Sequence, residues 1–331
     1  MGQGSKPDVS AERFSHAQLL ELALRVPLQR LHWPALDRLG IEVQVRRDDL
    51  AHPALNGNKL YKLWYNLGAA AASGQQTLLS FGGAWSNHIH ALAAAGAVYG
   101  YRTVGVIRGE PSATPSATLQ DAEAAGMQLH FVSRADYRRK QDPQFQRQLQ
   151  AQFGDFAVLP EGGTNLLGAR GCEVIAEATD RQLDYDAICL PCASGGSLAG
   201  IAAALAPGRR AYGISVLKGG GGLEEDVATL ARKLLYDKGR DRSASANWTL
   251  VKGYHGGGYA RLSAPLLAFM QRFERDAGLL LDPVYTAKLF WAIEAMALEG
   301  HWQRGTRLVA VHTGGLQGRR GYAALKVANT Q

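Results

Sequence analysis

With 331 residues, 46% of them hydrophobic, 39 glycines and only 12 prolines, the chain is a globular protein rich in tight turns, long enough for two domains or one domain with a large insertion. Three cysteines make no disulfide framework and no apolar run is long enough to span a membrane; the polar start, Met1 to Lys6, lacks the apolar core of a signal segment, so the expected compartment is the cytoplasm. The formal charge of +7 is spread over single basic residues and short runs such as Arg138-Arg139-Lys140, with no stripe interleaved with aromatics; no nucleic-acid or membrane partner is expected, only modest steering of anionic ligands.

Residues 1–15 read as a loosely held polar terminus, followed by a short helix through Leu19, Leu20, Leu22 and Ala23 that stops near Pro27. Ile41 to Val45 alternates as a strand does, and Arg46-Arg47-Asp48-Asp49 closes it with charge. Asn56-Gly57 is a turn signal, and Leu60, Leu63, Trp64 and Leu67 follow at helical spacing. Strands are predicted at Thr77–Phe81, Thr103–Ile107, Gln128–Val132, Phe156–Leu159, Ala187–Leu190, Ala211–Val216 and Leu308–His312. Alanine-rich helical segments at 87–98, 116–125, 165–178, 197–206 and 284–298 lie between most of them. Such alternation implies parallel sheets covered on both faces. Asp136 to Phe153, polar and glutamine-rich, reads as an exposed helix; 219–222 and 256–258 read as glycine loops and 238–247 as a polar surface excursion.

Lys59 and Lys62 stand three residues apart, on one face of the first helical turn. Two ammonium groups oppose the helix dipole there, unless an anionic ligand sits at that end. A lysine desolvated beside another cation has a lowered pKa and suits Schiff-base chemistry with an aldehyde. Taken alone, the pair reads better as two solvated surface lysines, a preference that the glycine loops farther along the chain reverse.

Three glycine loops bear on the choice. Ser80 to His88 runs from a strand into a helix, where backbone amides point at an anion, and Ser86 with Asn87 suits a small carboxylate or an ordinary helix cap. His88 and His90, two apart, face different sides and make no metal pair. Ser194-Gly195-Gly196-Ser197-Leu198 also joins a strand to an apolar helix, and its amides and hydroxyls can converge on a phosphate; it matches neither a P-loop nor the dinucleotide fingerprint. Cys189 and Cys192 have no second pair to complete a zinc site, and Glu161-Gly162-Gly163-Thr164-Asn165 reads as a helix cap. His312-Thr313-Gly314-Gly315 forms the third loop, at the carboxyl end of a strand, where ligands bind in open parallel sheets.

In order along the chain, Gly57-Asn58-Lys59 with Lys62, Gly82-Gly83 with Ser86-Asn87-His88, Glu161-Gly162-Gly163, Ser194-Gly195-Gly196-Ser197, Gly258-Tyr259, Leu281-Asp282-Pro283-Val284-Tyr285 and His312-Thr313-Gly314-Gly315 resemble the fold-type II pyridoxal-phosphate enzymes, specifically the D-cysteine desulfhydrase and 1-aminocyclopropane-1-carboxylate (ACC) deaminase family. The resemblance runs from about Arg47 to Gly318 and implies an α/β fold of two open, mostly parallel twisted sheets flanked by helices. A large cofactor domain would comprise residues 1–62 and 167–331, with a small inserted domain at 63–166. It further implies that Lys59 holds pyridoxal phosphate, that Lys62 and the Ser194 to Leu198 loop take its phosphate, that Asn87 meets its ring hydroxyl and that Thr313 faces its ring nitrogen. Lys59, Ser86, Tyr259 and Tyr285 form the implied catalytic set. Trp85, Ser86, Asn87, His88 and Thr286 form the implied substrate side.

The chain departs from the family pattern at Trp85, where many members have Gln, and at Thr286, where ACC deaminases carry glutamate. The implied activity is a lyase that eliminates a β-substituent from a small amino acid, as in D-cysteine desulfhydration. The alternatives are ACC deamination and a non-catalytic cofactor- or amino-acid-binding homologue, the latter favoured by Trp85. The expected partners are the small amino acid and a second copy of the chain in a homodimer.

Overall fold

A computed structural model describes residues 11–55, 57–219, 221–239 and 247–325. Asn56 of the predicted turn, the first ten residues of the polar terminus and most of the 238–247 excursion lie outside them. The strands in chain order are β1 (Leu28–Arg30), β2 (Glu42–Arg46), β3 (Thr77–Gly82), β4 (Arg102–Arg108), β5 (Gln128–Val132), β6 (Ala157–Leu159), β7 (Ala187–Cys192), β8 (Arg210–Ser215), β9 (Trp248–Val251) and β10 (Arg307–Val311). The helices are α1 (His16–Leu24), α2 (Pro34–Leu39), α3 (Asn58–Ala72), α4 (Asn87–Tyr99), α5 (Ala117–Ala124), α6 (Arg134–Arg138), α7 (Pro143–Phe153), α8 (Leu166–Gly171), α9 (Glu173–Gln182), α10 (Gly196–Ala204), α11 (Leu223–Asp237), α12 (Ala264–Ala277) and α13 (Thr286–Leu298).

Two sheets result. The larger has the order β1-β2-β10-β7-β8-β9, parallel throughout except for the antiparallel edge strand β1. The smaller, β5-β4-β3-β6, is wholly parallel, and its strands all lie between Thr77 and Leu159. The central strands β3 and β7 are buried at every position, as expected of runs such as Thr77-Leu-Leu-Ser-Phe-Gly82 covered by helices on both faces. Every predicted strand is present, its ends shifted by a residue or two. β1, β9, α2, α11 and α12 have no counterpart among the predicted elements.

Two predicted helices take a different form. The 165–178 segment is split at Cys172 into α8 and α9. The segment read as one exposed helix, Asp136 to Phe153, is two helices with a buried side: Tyr137, Phe145 and Leu149 pack with Leu79, Phe81, Val104 and Val106. Their spacing places the three apolar side chains inward while the glutamines face solvent.

The charged end of β2 also turns inward. Arg46 and Asp48 are fully buried, 3.0 Å apart, and the Tyr61 hydroxyl donates to Asp48 at 2.9 Å. A second Arg46 nitrogen donates to the Ala23 carbonyl at 2.6 Å. Tyr61 sits on α3 between the two lysines, so this cluster fixes the start of that helix. Gly171 of α8 lies so close beneath that a Cβ would stand 1.9 Å from the Tyr61 carbonyl oxygen. No described helix is long and apolar enough to cross a membrane.

Candidate active site

A cavity of about 680 Å³ opens where the two sheets meet. It is lined from the carboxyl ends of β3, β4, β6, β7, β8 and β10, and from the first turn of α3. This is where an open parallel sheet offers its loops and helix N-termini to a ligand.

Gly57, with φ of 71°, turns the chain into α3. A Cβ at Gly57 would stand 2.0 Å from the Thr313 carbonyl oxygen, so only glycine fits. Leu60, Leu63, Trp64 and Leu67 of α3 pack into the core, and Lys59 and Lys62 face the cavity. The Lys59 amine donates to Asn58 Oδ1 at 3.4 Å. Burial, and then the neighbouring Lys62, bring its pKa down to about 7.

Lys62 is buried and donates to the Gly162 carbonyl at 3.2 Å, to Thr164 Oγ1 at 2.9 Å and to Ser194 Oγ at 3.2 Å. All three acceptors are neutral, and no carboxylate pairs with it among the described residues. Burial lowers its pKa as well. The α10 N-terminus begins beside it at Gly196, whose would-be Cβ stands 3.4 Å from Lys62 Cε. An uncompensated buried ammonium beside a positive helix end calls for an anion, and the cofactor's phosphate fits that requirement. Ser194, Gly195, Ser197 and Leu198 line the cavity there, Ser197 accepting from Asn58 Nδ2 at 2.9 Å; Gly196 lies just behind them.

Across the cavity, Ser86 caps α4 by accepting from the Ile89 N–H at 3.3 Å, which leaves its own proton free to donate. Asn87 Oδ1 accepts from Gln317 Nε2 at 2.9 Å, leaving its N–H groups for another acceptor. His88 is buried, with Nε2 2.9 Å from Ser80 Oγ. Ser80 gives its one proton to the Leu159 carbonyl, so His88 Nε2 is the donor and Nδ1 keeps its lone pair. That Nδ1 is buried without a partner, and burial together with Lys59 and Lys62 holds the imidazole well below its ordinary pKa, hence neutral. Trp85 lies at the rim, 40% exposed, its ring against Gly321, where a Cβ would stand 3.0 Å away.

Tyr259 and Tyr285 meet through their hydroxyls at 3.1 Å, rings edge to face, on the opposite wall. Burial first, then Tyr259, holds the Tyr285 phenol well above its ordinary pKa, so it stays protonated. Thr313 lines the cavity beyond β10. Thr286 does not reach it. Its hydroxyl is buried at the start of α13, bonded to Asp282 Oδ1 at 3.0 Å, because the Asp282 turn uses it as a cap. Cys189 and Cys192 are buried free thiols, and the described residues contain no metal-binding cluster.

Several contributors were given no role at the site from the sequence. Thr164 and Gly162, read as part of a helix cap, hold Lys62, while the capping itself falls to Asn165, which accepts from the Gly168 N–H at 2.8 Å. Gln317 backs Asn87 from a segment with no local pattern. Arg108 and Glu161 line the cavity at the ends of β4 and β6, a position that is itself a readable signal.

Residues 20–314 match the model of a family described as pyridoxal-phosphate dependent enzymes. A Thermotoga maritima protein provisionally named a 1-aminocyclopropane-1-carboxylate deaminase is 30% identical, over 85% of this chain and 91% of its own length. The Yersinia pestis D-cysteine desulfhydrase is 28% identical, over 87% of this chain and 91% of its own. A solved structure described as an ACC deaminase homologue superposes with a TM-score of 0.78 at 24% identity, over 92% of this chain and 96% of that one, and shares the fold. The chain belongs to the pyridoxal-phosphate-dependent enzymes, and pyridoxal phosphate is its cofactor.

Proposed function

We propose that the protein is a lyase that converts a small β-substituted amino acid, D-cysteine as the simplest case, with water to pyruvate, ammonia and the released substituent. The observation that carries this is the Lys59 amine, held near neutrality by burial and by Lys62 on the cavity floor. An amine with a pKa of about 7 is free to link to an aldehyde and, once displaced, to take a proton. The cofactor supplies the sink for the electron pair left on Cα.

The chain's own groups then divide the work. Lys62, with the Ser194 to Leu198 loop and the α10 amides, would anchor the phosphate. Asn87, oriented by Gln317, would donate to the ring hydroxyl. The Ser86 hydroxyl and the first amides of α4 take the substrate carboxylate. Lys59 moves the Cα proton, and the Tyr259–Tyr285 pair, protonated and hydrogen-bonded, closes the substrate face. Thr313, a neutral hydroxyl on the cavity wall, would face the ring nitrogen without charging it. We assign the large cofactor domain to residues 1–62 and 167–331 and the small domain to 63–166, around the four-stranded sheet. Following the resemblance, we place the protein in the cytoplasm as a homodimer, which sedimentation would test.

ACC deamination is the second reading, and the name of the Thermotoga relative favours it. The site speaks against it. Asp282, beside the third glycine loop, is buried and already accepts the N–H groups of Val284, Tyr285 and Thr286. Thr286 and Thr313 are neutral, so no free carboxylate strengthens the sink for ring opening. Trp85 lines the cavity at its rim with its ring against Gly321.

The deciding experiment compares sulfide release from D-cysteine with 2-oxobutanoate release from ACC on the loaded protein, beside a Lys59→Ala variant. Sulfide release should dominate and the variant should lose its borohydride-reducible linkage. Faster ACC turnover would overturn the preferred substrate, and a linkage surviving in the variant would overturn the role of Lys59.

A further inference from the structure

One cation in the cavity has no task in the scheme above. β4 ends at Arg108, an exposed residue whose side chain also lines the cavity. Its guanidinium lies over the buried Tyr137 ring, 5.5 Å from the centroid. It also flanks the loop that leads to Ser86: a Cβ on Gly83 would stand 3.6 Å from Arg108 Nη2. Among the described residues no carboxylate pairs with Arg108. The single carboxylate on the cavity wall, Glu161, is held by Lys140 at 2.6 Å, and Lys140 itself reaches over the same tyrosine ring at 5.0 Å. Two cations therefore face one anion around Tyr137, and the surplus charge is on the cavity side.

A guanidinium seated on a buried aromatic face keeps its N–H edges free and loses little freedom when they are used. Those edges suit a planar or tetrahedral oxyanion, which they grip with two parallel hydrogen bonds. The α-carboxylate already has the Ser86 hydroxyl and the α4 amides, so the acceptor for Arg108 is a different group. The D-cysteine thiol offers none.

We propose that Arg108 recognises an oxyanion at the end of the substrate's side chain, so that the preferred substrates are alanines whose β-substituent carries a second negative charge. This rests on the reading of the site as a small-amino-acid lyase. Elimination then breaks the Cβ–substituent bond, the substituent leaving with the bonding pair while the Cα proton goes to Lys59.

The test compares the holoenzyme with Arg108→Met, which keeps the stem over Tyr137, and with Arg108→Lys. Serine O-sulfate and β-chloroalanine, each as both enantiomers, supply good leaving groups with and without an oxyanion. Binding of aspartate and of alanine, which lack such leaving groups, is measured by calorimetry. The wild type should favour serine O-sulfate and aspartate, and Arg108→Met should cut that preference roughly ten- to hundredfold, the worth of hydrogen bonds to a charged group. β-Chloroalanine turnover should stay within about twofold, and Arg108→Lys should recover part of the loss. An equal loss on both substrates, or none on either, overturns the proposal. Wild-type silence on both serine O-sulfate and β-chloroalanine instead refutes the lyase reading, and the aspartate-to-alanine binding ratio still decides for or against Arg108.

Discussion

Replacing Lys62 with methionine should separate the stability of the empty protein from its hold on the cofactor. In the structure the ammonium is buried among three neutral oxygens, and burial lowers its pKa. Thr164 and Ser194 keep each other at 2.6 Å when the lysine is gone, so the group that loses a donor is the Gly162 carbonyl. An unpaired carbonyl that is only partly buried costs at most about 1–3 kcal/mol, and removing a desolvated charge offsets part of this. The cofactor-free variant should therefore melt within about 2 kcal/mol of the wild type. With cofactor bound the balance differs, because the phosphate loses its buried countercharge, a deletion that costs about 2–5 kcal/mol. Affinity for pyridoxal phosphate should fall roughly thirtyfold to several thousandfold, read from the visible absorbance of the lysine-linked cofactor during titration. Pyridoxal, which lacks the phosphate, is the control and should bind the two proteins alike. Equal losses for both compounds, or a collapse of the empty protein, would refute the assignment of Lys62 to the phosphate.

Further outcomes follow from Lys59 and, across the cavity, from Ser86. With Lys59 at about 7, the rate of loading with pyridoxal phosphate should rise with pH about a midpoint near 7, and a midpoint in the ordinary lysine range would show the amine to be solvated. Its folded pKa lies below the unfolded value, so the unfolded chain binds more protons between about 7 and 10.5, and the empty protein gains stability from this group as pH rises through that window. Ser86→Ala should remove a helix cap worth about 1 kcal/mol, seen as a modest drop in melting temperature. It should also raise KM roughly ten- to hundredfold at unchanged cofactor content, since a hydrogen bond to the substrate carboxylate is lost; an unchanged KM would remove Ser86 from the site.

What the sequence disclosed and what it hid divide along a physical line. Glycine loops at strand ends are legible because a backbone turning there at close quarters tolerates little else, as Gly57 against Thr313 shows. The lysine pair is legible because helical spacing fixes its common face. Burial of charge is not, since Arg46 and Asp48 look like solvated strand-end residues until Tyr61, thirteen residues beyond Asp48, closes over them. Thr286 is adjacent to Tyr285 yet points away from the cavity, because the Asp282 turn needs its hydroxyl. α11 and α12 do carry helical periods, Leu223, Val227, Ala231, Leu234 and Leu266, Phe269, Met270, Phe273. They escape a reading that follows glycine loops, because neither helix begins at one of the loops around the cavity.

The segment with the weakest sequence signal ties the two sheets together at the site, and that makes a claim about where substrate affinity is set. Leu316–Gly321 runs as a single 3-10 segment beyond the third glycine loop. Arg319 fastens it to Glu274 of α12, on the side of the larger sheet. Arg320 pairs with Asp121 of α5, which also accepts from His90 of α4 at 3.2 Å, on the side of the smaller sheet. Between these anchors, Gln317 holds Asn87 and Gly321 meets the Trp85 ring. The Arg320–Asp121 pair is half exposed, so its loss should change stability by no more than about 1 kcal/mol. Its effect on geometry is larger, because the loop carrying Trp85, Ser86 and Asn87 loses one of its outer supports. Arg320→Ala should thus leave the melting temperature nearly unchanged and raise KM for the amino acid, while Gln317→Ala should raise KM and also loosen the cofactor through Asn87. If Arg320→Ala instead lowered the melting temperature by several degrees with KM unaltered, the segment would be a structural clasp and the substrate loop would be positioned by α4 alone.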